Sequence, residues 1–180
     1  MKDYTYCPQC GTKYSLVQHD ASHHSCTQCG QHLWDNPKGA VAVVFLNEQG
    51  EILVAERARE PQQGKFDLPG GFIEYNEDPF EATAREVQEE TGLHILTRPE
   101  LLDAYTHDYG SDESVCDLIM LIRAWEGTPH PQDDVTSLHW KPISFIDDPQ
   151  FAWPYTRLQA QLREIQANVA IPEPAHFHTR

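Results

Sequence analysis

The chain has 180 residues, 28 acidic against 13 basic, giving a formal net charge of −15 with histidine neutral. That length suits one ordinary domain, or one with a small appendage, and a hydrophobic fraction of 39% is enough to build its core. So anionic a chain argues against broad charge-driven nucleic-acid binding, though not against phosphates held through divalent cations, and no run approaches the roughly 18 apolar residues of a membrane span.

Met1-Lys2-Asp3-Tyr4 carries no apolar signal segment, so a cytoplasmic location with reduced thiols is expected. Residues 1–37 contain Cys7-Pro8-Gln9-Cys10-Gly11 and Cys26-Thr27-Gln28-Cys29-Gly30. Two C-x-x-C-G knuckles fifteen residues apart make a zinc-ribbon pattern. Each pair presents two thiolates from one tight turn, and the following glycine accepts the backbone that turn needs. Cys7, Cys10, Cys26 and Cys29 would fill a tetrahedral shell, so the Zn²⁺ is expected to be structural. Metal binding is worth on the order of 10–16 kcal/mol in zinc-finger peptides and can replace the core that so short a segment lacks. Redox chemistry is the competing reading, and two matched pairs do not need it. His19, His23, His24 and His32 are surplus to the four sulfurs and are expected in solvent. Lys2 and Lys13 are the only basic residues before Lys38, which speaks against a nucleic-acid-binding ribbon.

Residues 34–38 read as a hinge. Strands are expected over 40–46 and 51–57, joined by a turn at Asn47-Glu48-Gln49-Gly50. Arg57, Arg59 and Lys65 follow in a chain with few cations, which makes them the candidates for touching substrate phosphates; a surface pair of Arg57 with Glu56 or Glu60 is the alternative. Phe66-Asp67-Leu68-Pro69 leads into a glycine turn at Gly70-Gly71. Asp78 as N-cap, Pro79 at the first helical position and Glu81 completing a capping box open a helix, and Gly92 suits the left-handed residue that closes it. At about 100° per residue, Glu86, Glu89 and Glu90 form one acidic stripe, continued by the small Ala82 and Thr83. Phe80, Ala84 and Val87 are expected to face the core. Further strands are expected over 95–96, 101–107, 115–125 and 137–140, with Cys116 a buried structural thiol. A closing helix over 154–169 would align Tyr155, Leu158, Leu162 and Ile165. Residues 170–180 read as a loose tail, in which His176 and His178 do not make a metal site.

A row of glutamates on a helix is usually solvated, and like charges at this spacing cost only about 0.2–0.5 kcal/mol per pair. The frame around them is far more restrictive: Gly71, five residues, Glu77, seven residues, Arg85-Glu86, Val87, Gln88, Glu89-Glu90, Thr91-Gly92, Leu93. It resembles the signature of the Nudix hydrolase family at every defined position. The resemblance implies an α/β fold, a Nudix α/β/α sandwich with a mixed sheet over residues 38–169, preceded by the small zinc ribbon and followed by the tail at 170–180. It also implies hydrolysis of the diphosphate linkage in a nucleoside diphosphate joined to some group X. Glu86, Glu89, Glu90 and the carbonyl of Gly70 are then the ligands of Mg²⁺ or Mn²⁺, hard ions that prefer oxygen. Glu77 and Arg85 hold the helix against the loop. The general base is Glu86 or Glu89, or an acid from a distant loop, for which Asp112 and Glu113 are the outside candidates.

A ribbon before such a domain resembles the NADH pyrophosphatase branch. That branch carries a Ser-Gln-Pro-Trp-type motif, which is absent from Arg98-Pro99-Glu100-Leu101-Leu102-Asp103-Ala104-Tyr105. The expected substrate is a dinucleotide cofactor or nucleotide sugar such as NADH, FAD or ADP-ribose. The alternatives are a nucleoside triphosphate or dinucleoside polyphosphate, in whose hydrolases a tyrosine similar to Tyr109 occurs, or a non-catalytic nucleotide-sensing role. A complete set of glutamates speaks against the last. The expected partner is a small-molecule nucleotide diphosphate, with no membrane and no nucleic acid, and a homodimer left open.

Overall fold

The computed structural model describes residues 4–110 and 113–169. Lys2, Asp112, His176, His178 and the tail from residue 170 lie outside the described residues.

The N-terminal module is a three-stranded antiparallel sheet, β1 (Leu16–Gln18), β2 (His23–Cys26) and β3 (His32–Trp34), with Leu16 opposite Cys26 and His23 opposite Trp34. His19 and His32 are exposed as expected, and His24 departs from that expectation. His24 is buried at 6% exposure, edge-on to Tyr4, because it points to the same side of β2 as Cys26. On the opposite face His23 stacks flat on Trp34 at 3.9 Å and shares a 2.7 Å contact with His32.

Two sheets follow. The first orders β7 (Gly70–Phe72), β4 (Lys38–Phe45), β10 (Ser114–Ile122) and β9 (Glu100–Asp108). Strands β4 and β10 run parallel and the other pairs antiparallel, so this sheet is mixed. The second orders β12 (Val135–Pro142), β5 (Glu51–Arg57) and β6 (Phe66–Asp67), all antiparallel, and β8 (His94–Ile95) pairs with β11 (Trp125–Glu126). Strand β4 explains the layering. Its residues from Ala40 to Phe45 are all buried, the mark of a strand covered on both faces. Val43 and Phe45 pack with Val87 and Leu93 from helix α1 (Pro79–Thr91) and its exit. Ala42 and Val44 point the other way, into a cluster holding Leu158 and Leu162 of α2 (Leu158–Val169). The helices therefore cover opposite faces, as the α/β/α sandwich requires. Among the described residues no helix is long and apolar enough to cross a membrane.

Several boundaries differ from the sequence reading. Strand β10 stops at Ile122, and a bend separates it from β11. Helix α2 begins at Leu158 rather than 154: Phe151, Ala152, Trp153 and Tyr155 each bury in irregular backbone, seating large rings that one helix face could not carry side by side. Tyr155, Leu158 and Leu162 still share one cluster, with Ile165 packed against it. Cys116 is half-buried rather than buried.

Candidate active site

Helix α1 carries the caps that its sequence demands. The Asp78 carboxylate accepts the Phe80 N–H, the Glu81 side chain reciprocates toward Asp78, and Gly92 closes the helix at φ 68°. Its buried residues are Ala82, Thr83, Glu86, Val87, Glu90 and Thr91, while Ala84 is exposed. The expectation that Ala84 joins the core is thus corrected. Glu86 and Glu90 of the acidic stripe turn inward against β7, which rotates the buried arc away from Ala84.

The glycine turn permits that inward rotation. Gly70 adopts φ 147°, and a Cβ there would lie 2.1 Å from the carbonyl oxygen of Val41 on the paired strand. A Cβ on Gly71 would meet the Glu86 carboxylate at 2.6 Å. The space a methyl group would fill is occupied by an acid.

A cleft of about 350 Å³ opens between β4, β7, α1, β9, β10 and the Trp153 segment, and Glu86, Glu89, Glu90, Gly70, Gly71 and Arg85 all line it. Glu90 is 6% exposed and accepts the Gly70 N–H at 2.7 Å. Burial pushes its carboxyl well above the ordinary range; the Gly70 N–H works against this, and the charges of Asp134 and Glu86 add to it. Glu86 is raised by burial too, with Arg85 pulling the other way. Glu89, by contrast, keeps an exposed side chain.

Arg85 ties these acids to the loop. Its guanidinium forks onto Glu77 at 2.8 and 2.9 Å, donates to the Phe72 carbonyl at 3.0 Å, and reaches Glu86 at 2.7 Å and Glu89 at 3.0 Å. The Arg85 fork, helped by the Glu74 N–H, holds the Glu77 carboxyl down to about 2.

Arg57 also lines the cleft, but its partners are not Glu56 or Glu60. It donates to Asp67 at 3.2 Å, the Tyr109 hydroxyl at 3.1 Å and the Pro61 carbonyl at 2.9 Å. Arg59 lines a small adjoining recess shared with Gly70, Glu90 and Asp134, whereas Lys65 lines neither space. Glu113 pairs with Lys38 at 2.7 Å and is not part of the cleft lining. The distant-loop acids that do line it are Asp133 and Asp134. Sequence reading passed over both, along with Asp67, His107, Asp117 and Trp153. Only Asp117 had a local signal, an acid inside an apolar strand.

The carboxylate set fits a hard divalent cation by its chemistry. Every donor is oxygen, and two of the glutamates are buried beside Asp134 with less positive charge than negative around them. Their oxygens do not converge as tightly as the cysteine sulfurs: among the described residues, Cys7, Cys10, Cys26 and Cys29 form the only group of metal-binding atoms that all lie within 4.8 Å of one another. The Cys7–Cys29 and Cys10–Cys26 sulfur separations are both 3.8 Å. A tetrahedron with bonds of about 2.3 Å has edges of about 3.8 Å, the size of a Zn²⁺–thiolate site.

The model of the NUDIX domain matches residues 36–162, most of the chain and all of the cleft-forming elements of the first sheet. The chain belongs to the NUDIX hydrolase family. Among its NUDIX relatives, the 8-oxo-dGTP diphosphatase of Proteus vulgaris is 34% identical over 86 residues, covering 47% of this chain and 75% of that protein. The ADP-ribose pyrophosphatase of Methanocaldococcus jannaschii is 47% identical over 68 residues, covering 37% of this chain and only 40% of that protein. A solved NUDIX hydrolase from Nitrosomonas europaea superposes with a TM-score of 0.61 at 22% identity, covering 92% of each chain. That likeness is one of fold, and it extends beyond the region matched by the domain model.

Proposed function

We propose that this NUDIX chain is a divalent-cation-dependent pyrophosphohydrolase acting on a nucleoside diphosphate linked to X. The observation that carries the reading is the cluster of Glu86, Glu90 and Asp134 on one wall of a cleft, two buried acids and a half-buried one, with Arg85 the positive charge that reaches Glu86. The named activities of its relatives differ in substrate but share a diphosphate linkage in a nucleotide. In this reading Glu86, Glu89, Glu90, Asp134 and the Gly70 carbonyl hold Mg²⁺ or Mn²⁺. Such an ion, when bound, neutralises charge on the diphosphate and acidifies an attacking water.

The chain's own residues do the rest. Arg57 orients the nucleotide from the opposite wall, held in place by Asp67 and Tyr109. Glu77 and Arg85 keep the loop against the helix. Glu89, the least buried of the three glutamates, takes the proton from the attacking water. Residues 1–37 form a separate ribbon around a structural Zn²⁺, and residues 38–169 form the catalytic domain. The substrate is a dinucleotide cofactor or nucleotide sugar. A nucleoside triphosphate is the second reading, favoured by the relative from Proteus vulgaris.

Incubation of the purified protein with Mg²⁺ or Mn²⁺ and NADH, FAD, ADP-ribose, Ap₄A, dGTP or 8-oxo-dGTP tests the proposal. Release of a nucleoside monophosphate from at least one of them is the expected result. No turnover on any, with cation binding demonstrated, overturns it.

A further inference from the structure

The cleft wall formed by β9, β10 and the Trp153 segment has its own polar chemistry, separate from the glutamates of α1. The inward row of β10 runs Val115, Asp117, Ile119, Leu121, so a carboxylate stands where the strand pattern asks for an aliphatic side chain. Asp67, in β6, is its neighbour in charge. Both are buried, at 7% and 8% exposure, a placement that is costly unless partners satisfy the oxygens.

Asp67 is fully engaged. One oxygen accepts the Leu68 N–H at 2.8 Å, and the other accepts Arg57 at 3.2 Å and the Trp153 indole N–H at 2.8 Å. Asp117 is not. Its Oδ2 takes both His107 Nε2 at 2.7 Å and the Tyr155 hydroxyl at 2.9 Å. Its Oδ1 has no hydrogen-bond partner among the described residues, yet it is not one of the partnerless atoms sealed from solvent. The residue lines the cleft, and of its two carboxylate oxygens Oδ1 is the one left with acceptor capacity for a ligand there.

Rings flank it. His107 stacks on Trp153 with centroids 4.4 Å apart and planes 22° apart; Tyr109 lies 5.5 Å from Trp153, and Phe72 5.5 Å from Tyr109. Phe72, exposed at 38%, and Tyr109 beside it offer aromatic surface to a flat heterocycle, and a carboxylate oxygen accepts hydrogen bonds. Together they describe a site for a planar ring bearing an N–H donor.

We propose that Asp117 is a specificity-determining residue whose Oδ1 accepts a hydrogen bond from the exocyclic amino group of the substrate's nucleobase. The proposal rests on the reading of the substrate as a nucleotide and adds which bases it selects: those carrying an amine. The ribose hydroxyls are the other donors a nucleotide could offer, and the ring-lined wall favours the base.

The test needs no turnover. Calorimetric binding of nucleoside monophosphates, without added divalent cation, compares CMP with UMP, GMP with IMP, and AMP with purine riboside monophosphate. The amino-bearing member should bind about tenfold tighter or better in at least one pair, as expected when a buried polar partner would otherwise go unmet. Absence of any such preference in the wild-type protein overturns the proposal, whatever any variant does. Asp117→Asn supplies the sharper arm. Tyr155 and His107 both direct hydrogens at Oδ2, so the amide oxygen takes that place and its NH₂ turns into the cleft. A donor then replaces an acceptor, and the preference should reverse toward UMP over CMP, an outcome a merely structural aspartate would not produce. An unchanged ratio in a folded Asp117→Asn protein overturns the assignment. So does a change confined to the discrimination between ribo- and 2′-deoxyribonucleotides, which would assign the oxygen to the sugar. Loss of hydrolysis on every substrate would sink the enzymatic reading and leave these binding ratios standing.

Discussion

Glu90 shows how much one side chain in this chain is asked to reconcile. It accepts the Gly70 N–H, sits 6% exposed, and feels the charges of Asp134 and Glu86. Glutamine in its place keeps an acceptor for Gly70 and removes one negative charge from the cluster. Glu90→Gln should therefore melt at the same temperature as the wild type or higher, while turnover falls by at least about 100-fold, beyond the loss of a partner outside a metal's ligand shell. Steady-state kinetics beside a thermal melt would check both halves; near-normal turnover would remove Glu90 from the metal-holding set. The sequence displayed Glu86, Glu89 and Glu90 because three acids on one helix are local information. Asp134 was hidden by the opposite circumstance. It stands in a proline-containing loop beside another aspartate, and only the chain's path back toward α1 makes it relevant. Asp67 likewise looked like part of a lead-in to the glycine turn, since it meets Arg57 only through the pairing of β5 with β6, and Trp153 is 86 residues away.

At the scale of the element, α1 was the most legible part of the molecule. Asp78, Pro79, Glu81 and Gly92 act on backbone within four residues of themselves, so their meaning needs no tertiary knowledge. Which face of the helix is buried does need it. Ala84 was expected in the core beside Phe80 and Val87, but the glycine turn and the strands beneath it bury the face of Ala82, Thr83, Glu86 and Glu90 instead, which leaves Ala84 outside. The start of α2 was misread for a related reason: Tyr155 has helical spacing to Leu158 but buries from the preceding irregular segment. The anchor of α1 to the loop carries a pH signature. Arg85 lowers the Glu77 carboxyl from its ordinary 4.5 to about 2. A depressed folded-state pKa adds stability that is fully present above about 4.5 and disappears as pH falls toward about 2. Acid titrations followed by circular dichroism should thus show wild type more stable than Glu77→Gln at neutral pH, with the gap closing across that interval. A gap that stays constant down to about 2 would mean that Glu77 is not ionised in the pair.

Across the whole molecule, the two modules rest on different physics. Residues 38–169 share large apolar clusters on both sides of β4. The described part of residues 1–37 buries only Cys7, Ser15, His24 and Cys26, two of which belong to the four-cysteine cluster that could hold a metal ion. A chelator strong enough to strip Zn²⁺ should accordingly unfold the ribbon while the larger domain keeps its melting transition, and the untreated protein should contain about one zinc per chain. A stoichiometry near zero in folded protein would contradict the zinc assignment. The loop before β12 ties the acids together at this same scale. His130 N–H bonds the Thr91 carbonyl at 3.0 Å and Gln132 N–H bonds the Glu90 carbonyl at 3.1 Å, so the segment bearing Asp133 and Asp134 is strapped to the end of α1. Acids from two distant parts of the chain are consequently held side by side by main-chain hydrogen bonds. The repulsion that gathering them entails is overcome once, while the polypeptide folds, and not again in each cycle of turnover.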